Sequence, residues 1–248
     1  MMNLLMPMAG RGDRFKRGGF NVPKPLVSVA GQSMVSRAIN NLYHPEIRFI
    51  FAILKDHAVQ YNLDFILKDM VDCDIIYVDE VTSGPASTCL LAEDLINTLD
   101  SLCIVNVDQI IEDLDWNDFW KFADTKTETA RHLSGVLGTF DSQHPKNSYA
   151  RVDEIGLVVE VKEKEVISPV ATNGLHYWSC GDSFVWSAKE MIARNDRSNG
   201  EFYIAPTFNY LIEVGCAIGT YHFNKHFPIG TPGDLLVYER HLKGIDHV

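Results

Sequence analysis

Four short apolar runs set the frame of this chain: "NLLMPM" (3–8), "RFIFAIL" (48–54), "CDIIYV" (73–78) and "SLCIVNV" (101–107). Runs this short and continuous read as buried strands, whereas the stretches between them carry apolar residues at helical period. "SMVSRAINNLY" (33–43) predicts one helix. "HAVQYNLDFILKDM" (57–70) predicts another, with Val59, Leu63, Ile66, Leu67 and Met70 on one face. "SGPASTCLLAEDLI" (83–96) opens a third on Pro85, because proline is tolerated in a first helical turn. Strand alternating with helix is the pattern of a mainly parallel sheet with helices on its faces.

The texture changes after Asp115, which predicts an N-cap for "WNDFWKFA" (116–123). "HLSGVLGTF", "SYARVD", "LVVEVKEK" and "NGLHYWSC" follow as β segments, and helices return at 183–194, 201–214 and 232–242. Repeats, low-complexity stretches and Gly/Ser linkers are absent from the sequence. One domain over 1–248 is expected, built of a first half, 1–110, and a second, 111–248.

Charge narrows the ligands. Lys and Arg number 22 against 33 Asp and Glu, a net charge of −11, which argues against broad nucleic-acid or membrane-surface binding. Residues 11–24 depart from that balance: Arg11, Arg14, Lys16, Arg17 and Lys24 against Asp13 give +4, leaving −15 for the rest. The five cysteines are odd in number and form no C-x-x-C pair, so neither a disulfide framework nor a thiolate zinc site is indicated, and a reducing cytoplasm fits. "MMNLLMPMAG" has no basic leader and too short an apolar run for a membrane span, and is read as a buried first strand.

The basic stretch is "MAGRGDRFKRGGFNVPKPL" (8–26). As a dinucleotide fingerprint it fails twice. Phe15 stands where the third glycine belongs, and no acidic residue occurs between Asp13 and Glu46 to meet a ribose. The G-K-[ST] of a P-loop is absent, and the embedded RGD is read as coincidence. What remains is a glycine loop after a strand, whose backbone N–H groups can approach an anion, with cations beside it. Such a loop suits a polyphosphate; the competing reading is a solvated charge run on a surface loop. Pro23 and Pro25 weigh against the latter, since they fix the backbone on either side of Lys24.

With these residues in hand, the sequence resembles the nucleotidyltransferases, or pyrophosphorylases, that join an NTP to a sugar 1-phosphate or similar phosphorylated acceptor. Their opening pattern, an apolar strand, A-G-x-G-x-R-F and then P-K-P-L, is matched by "LLMPMAGRGDRFKRGGFNVPKPL". "TSGPASTCLLA" (82–92) resembles the family's base-recognition loop, and "VNVDQII" (105–111) its metal-bearing strand end. "VKEKEVISPVATNGLHYW", "GEFYIAP" and "IGTPGDL" resemble acceptor-side and closing motifs. The resemblance implies a Rossmann-like three-layer α/β/α sandwich with a mixed, mostly parallel central sheet, its first half binding nucleotide and its second half the acceptor.

Carried over by motif position, the nucleotide would meet Met8, Ala9, Gly10, Arg11, Gly12, Asp13, Arg14, Lys24, Thr82, Gly84, Ala86, Asn106 and Asp108. The acceptor would meet Gln109, Glu163, Lys164, Gly174, Glu201, Tyr203 and Asn209. Arg14, Lys24 and Asp108 would carry the chemistry, with Mg²⁺ as the cofactor on Asp108 and Asp234. Two departures stand out: Pro228 occupies the slot of a second metal-binding aspartate, and Arg11 replaces the second glycine of A-G-G. A phosphate monoester is largely a dianion near neutral pH, so the reaction needs charge neutralisation rather than a general base.

The partners expected are an NTP, with CTP or another pyrimidine nucleotide favoured, and a phosphorylated small molecule. A sugar 1-phosphate is the leading acceptor and a non-sugar phosphate of capsule or envelope biosynthesis the alternative. Neither nucleic acid nor membrane is expected as a partner, and a homo-oligomer is compatible with the sequence. A glycosyltransferase sharing the architecture is a second reading, although Asp108-Gln109-Ile110 lacks D-x-D; a non-catalytic nucleotide sensor is a third. His222 and His226 have metal-like spacing but no evident third ligand, and read as structural.

Overall fold

The first apolar run is extended over Met2–Met8 (β1) and buried on both sides, with Leu4, Met6 and Met8 facing one core and Leu5 the other. In this computed structural model, which describes residues 1–125, 127 and 132–245, the further strands are β2 (Ser28–Val29), β3 (Gln32–Ser33), β4 (Ile47–Leu54), β5 (Cys73–Val78), β6 (Ser101–Val105), β7 (Gln109–Ile111), β8 (Leu133–Asp141), β9 (Ser148–Val152), β10 (Val158–Glu163), β11 (Val170–Trp178), β12 (Ala217–His222) and β13 (His226–Pro228). The helices are α1 (Asp13–Arg17), α2 (Met34–Leu42), α3 (Lys55–Tyr61), α4 (Leu63–Met70), α5 (Pro85–Leu90), α6 (Glu93–Ile96), α7 (Trp116–Ala123), α8 (Gly181–Ala193), α9 (Phe208–Glu213) and α10 (Pro232–Leu242).

β5, β4, β1 and β6 lie side by side and parallel. β11 adds antiparallel to β6, and β8 adds antiparallel to β11 with β12 parallel beyond it; β9 and β10 continue the sheet from the other end of β11. One apolar layer receives α2, α4, α7 and α10, and the opposite layer α5, α6, α8 and α9. The result is the expected three-layer arrangement around a mixed sheet.

Local chemistry explains the elements that hold the site. α2 starts where Ser33 Oγ accepts from the Ser36 N–H at 3.2 Å, and its buried stripe is Met34, Val35, Ala38, Ile39 and Leu42. Asp115 caps α7 as predicted, accepting from the N–H groups of Asn117 and Asp118, and the aromatic cluster of α7 packs on the sheet. Trp116 Nε1 donates to the Leu42 carbonyl at 2.9 Å, tying α7 to α2.

Three helix boundaries differ from expectation. The segment 57–70 is two helices, because Asn62 adopts a left-handed backbone (φ 53°) that ends α3 and begins α4. That turn rotates the face: Leu63 and Leu67 are buried, whereas Val59 and Met70 point to solvent. Residues 83–96 divide into α5 and α6, and the helix expected at 201–214 begins only at a 3₁₀ turn over Ala205–Thr207. β6 stops at Val105, leaving Asn106–Asp108 as a turn before β7.

Candidate active site

The loop that leaves β1 passes through Gly10 and Gly12. No atom would meet a Cβ at Gly10, and Gly12 is left-handed (φ 66°), with a Cβ position 3.4 Å from Lys24 Cβ. Phe15, at the place of the missing third glycine, is 1% exposed and meets Phe20 edge-on at 5.4 Å, so it anchors the loop in the core. The cavity of about 440 Å³ beyond the loop is lined by Met8, Gly10, Gly12, Asp13, Arg14 and Lys24, together with Arg17, Glu201 and Gly230. A second space of about 450 Å³ shares Gly10, Gly12, Asp13 and Glu201 with it and reaches Arg11, Thr82, Gly84 and Thr88. Together these adjoining spaces make the cleft at the glycine loop.

Lys24 opens a 3₁₀ turn over Lys24–Leu26, with Pro25 buried, so its backbone is fixed as the flanking prolines require. Its Nζ donates to Asp108 Oδ2 at 2.5 Å. Asp108 lies in the turn after β6, its side chain 17% exposed. Burial would push its carboxyl up, but the Lys24 ammonium, the hydrogen bond it donates and the charge of Arg14 together hold it below the usual carboxylate range. The closing turn packs on the same group: the Ile229 N–H donates to the Asp108 carbonyl at 2.8 Å, and a Cβ at Gly230 would sit 2.5 Å from Asp108 Oδ2. Pro228 lies on β13 opposite Gln109 of β7.

The loop over 82–86 is pinned rather than loose. Thr82 Oγ1 donates to the Gly84 carbonyl at 2.9 Å and lies 2.7 Å from Thr88 Oγ1. The Phe202 N–H donates to the Ser83 carbonyl and the Ala86 N–H to the Phe202 carbonyl, each at 3.0 Å. Ala86 is thus fully buried with its N–H occupied, and it does not line the cleft. Gly84 does.

Next to this cleft, sharing Pro85 with it, is a polar chamber of about 190 Å³. Asn106, expected to meet the nucleotide, lines it together with Gln109, Glu163, Gly174 and Tyr203, expected on the acceptor side. Burial pushes the Glu163 carboxyl up, opposed by the hydrogen bond from Ser148 Oγ and the charge of Lys164. Gly174 is left-handed (φ 88°), and a Cβ there would lie 2.9 Å from Asn106 Nδ2, so glycine is needed for Asn106 to fit.

Other candidates are placed elsewhere. Glu201 borders the glycine-loop cleft and not the chamber. Lys164 donates to the Tyr203 hydroxyl and stacks 4.5 Å over its ring. Asn209 accepts from the Val161 N–H and donates to its carbonyl, both at 2.8 Å, pairing with edge strand β10 as another strand would. Asp234, in the first turn of α10, accepts from Thr231 Oγ1 at 2.7 Å and pairs with Lys146 at 3.4 Å; it lines neither cleft nor chamber. Among the described residues no three His, Cys, Asp or Glu side chains converge as a metal cluster.

Sequence reasoning missed Lys146, Ser148, Thr172 and His176 in the chamber. Two were near at hand: Thr172 and His176 stand two residues either side of Gly174 on β11, although the pairing of β11 with β8 shifts register between them, which simple alternation does not anticipate.

Against the profile of the nucleotidyl transferase family, residues 5–236 match. The chain belongs to the nucleotidyl transferase family. Among curated relatives, the bifunctional protein GlmU of Clostridium novyi (strain NT) is 23% identical over 228 residues, 87% of this chain. The chain spans about half the length of that relative, 46%. In fold it is similar to the nucleoside-diphosphate-sugar pyrophosphorylase from Vibrio cholerae RC9, with a TM-score of 0.80 at 22% identity over 96% of this chain and 99% of that one. It is similar also to the inositol-1-phosphate CTP transferase from T. maritima, with a TM-score of 0.75 at 17% identity over 100% of this chain and 98% of that one. Among the described residues no helix is long and apolar enough to cross a membrane.

Proposed function

We propose that this nucleotidyl transferase moves a nucleoside monophosphate from an NTP to a phosphorylated small molecule. An oxygen of the acceptor phosphate bonds to the α-phosphorus, the α–β phosphoanhydride bond breaks, and pyrophosphate leaves. The observation that carries this reading is Lys24, which lines the glycine-loop cleft and pairs with Asp108 behind it, with a separate polar chamber beside the cleft. Two anions must meet in this reaction, and Arg14 and Lys24 supply positive charge where they do. Arg14 faces the leaving pyrophosphate, Lys24 the α-phosphate and the incoming oxygen.

Mg²⁺ fits this donor set. One carboxylate, completed by waters and substrate phosphates, is a usual way to hold it, and Asp108 Oδ2 already has a cation, the Lys24 ammonium, at 2.5 Å. The ion would neutralise phosphate charge there; Asp234 would need to leave Thr231 and Lys146 to join it.

A sugar 1-phosphate is the leading acceptor, supported by the pyrophosphorylase fold match; a cyclitol or other non-sugar phosphate, and CTP as donor, are supported by the match to the inositol-1-phosphate CTP transferase. A cytoplasmic role in making envelope or polysaccharide precursors fits both. The test is pyrophosphate release from ATP, CTP, GTP and UTP against glucose 1-phosphate, N-acetylglucosamine 1-phosphate, inositol 1-phosphate and phosphocholine, with Mg²⁺ or EDTA. Release from one NTP–monoester pair, abolished by EDTA, is the expected result. Nucleotide binding without release from any pair points to a sensor, and no calorimetric affinity for any NTP overturns the reading.

A further inference from the structure

His226 is the side chain next to the site that the proposed chemistry leaves without a task. It stands on β13 with its ring 4.5 Å from that of Phe140, and its Nε2 is 2.5 Å from Gln109 Oε1. Its Nδ1 is buried with no partner. Burial pulls the imidazole down to about 4, with the charge of Asp108 opposing. The ring is therefore neutral at physiological pH, with one nitrogen a donor and the other an acceptor.

The neighbouring carboxylate decides which. Gln109 turns its Nε2 toward Asp108 Oδ1 at 3.5 Å and its Oε1 toward His226. Reversing the amide would let the ring accept from Gln109, but would aim a carbonyl oxygen at an anion and bury a proton on Nδ1 with nothing to receive it. The favourable state has the proton on Nε2, donated to Gln109 Oε1. Gly174 closes the other side: its Cβ position is 3.1 Å from Gln109 Cγ, so the glutamine lies between β11 and His226.

We propose that His226 is a positioning residue that holds the Gln109 carboxamide with its N–H₂ group toward Asp108 and the acceptor chamber, where it receives a phosphate oxygen of the acceptor. The assignment of the acceptor's oxygen rests on the proposed function; the orientation of Gln109 does not. The histidine acts only through the glutamine, which makes the two residues one unit.

Two measurements test this. In ¹⁵N-histidine-labelled protein without ligand, the His226 signal, assigned by its loss in His226→Gln, is expected to show the Nε2–H tautomer and no titration between pH 5.5 and 8. The Nδ1–H tautomer, or a midpoint near 6.5, overturns the proposal whatever the protein's substrates prove to be. With the most active monoester of the panel above, Gln109→Ala and His226→Phe are each expected to raise the acceptor KM about tenfold with the NTP KM unchanged. The double variant should be no worse than Gln109→Ala alone, and His226→Gln, which keeps an N–H donor, should recover most of the loss. Additive losses in the double variant would assign the residues separate roles and overturn the unit. If no monoester of the panel is turned over, the proposed function fails on that panel and the tautomer measurement decides the orientation by itself.

Discussion

Lys24 and Asp108 show how far single residues could be read. Two prolines around one lysine announce a fixed ammonium, and the structure fixes it against a carboxylate 84 positions later in the chain. The partner was visible only through the family pattern, because nothing local to residue 24 points to residue 108. Removing either partner should cost roughly 10²- to 10³-fold in turnover, as loss of a comparable transition-state contact does. Pyrophosphate release by Lys24→Ala and Asp108→Asn checks this, and circular dichroism establishes that both remain folded. Unchanged kinetics in either would remove that residue from the chemistry. Asn209 and Ala86 show the limit: a polar group in a motif was equally able to serve the backbone, and in the fold Asn209 is bound to Val161 and the Ala86 N–H to Phe202.

At the scale of elements, the strands were legible because their apolar runs are short and continuous, and β4 and β5 fall within a residue of their predicted bounds. The helices were less so. A helical period continues through Asn62, so the pattern carries no sign of the left-handed turn that separates α3 from α4. The loop 82–86 has a comparable hidden constraint. Gly84 has φ 144°, and a Cβ there would lie 2.4 Å from the Phe202 nitrogen and 2.5 Å from its carbonyl oxygen. Gly84→Ala must therefore separate the loop from the Phe202 segment, breaking two backbone hydrogen bonds. We expect destabilisation of about 2 kcal/mol or more, read from urea unfolding. Nucleotide affinity should fall with it, whereas Gly10→Ala, in open space, should leave stability within about 0.5 kcal/mol.

For the molecule as a whole, the charge segregation read from composition has a spatial counterpart: Arg11, Arg14, Arg17 and Lys24 all border the spaces at the glycine loop, in a protein of net charge −11. Stability should carry a pH signature from His176, which is 4% exposed and pulled down by burial to about 4. The unfolded chain, with histidine near 6.5, binds this proton at pH values where the folded protein does not, so stability is full above about 6.5 and declines as pH falls toward 4. The loss is on the order of 3 kcal/mol when complete. Urea midpoints at pH 7.5 and 5 should differ in wild type, and His176→Leu should reduce the difference; an equal slope in that variant would place the effect in other groups.

β11 runs antiparallel against β6 from Leu175 to Trp178, and Gly174 of β11 stands directly beside the turn to Asp108, its Cβ position 2.9 Å from Asn106 Nδ2 and 3.1 Å from Gln109 Cγ. Both hang from one hydrogen-bonded ladder, since the Asn106 N–H donates to the Gly174 carbonyl where the pairing of Leu175 with Val105 ends. The spacing of the proposed donor and acceptor seats is thereby tied to strand pairing, and a side chain grown at Gly174 would push on the turn that carries Asp108.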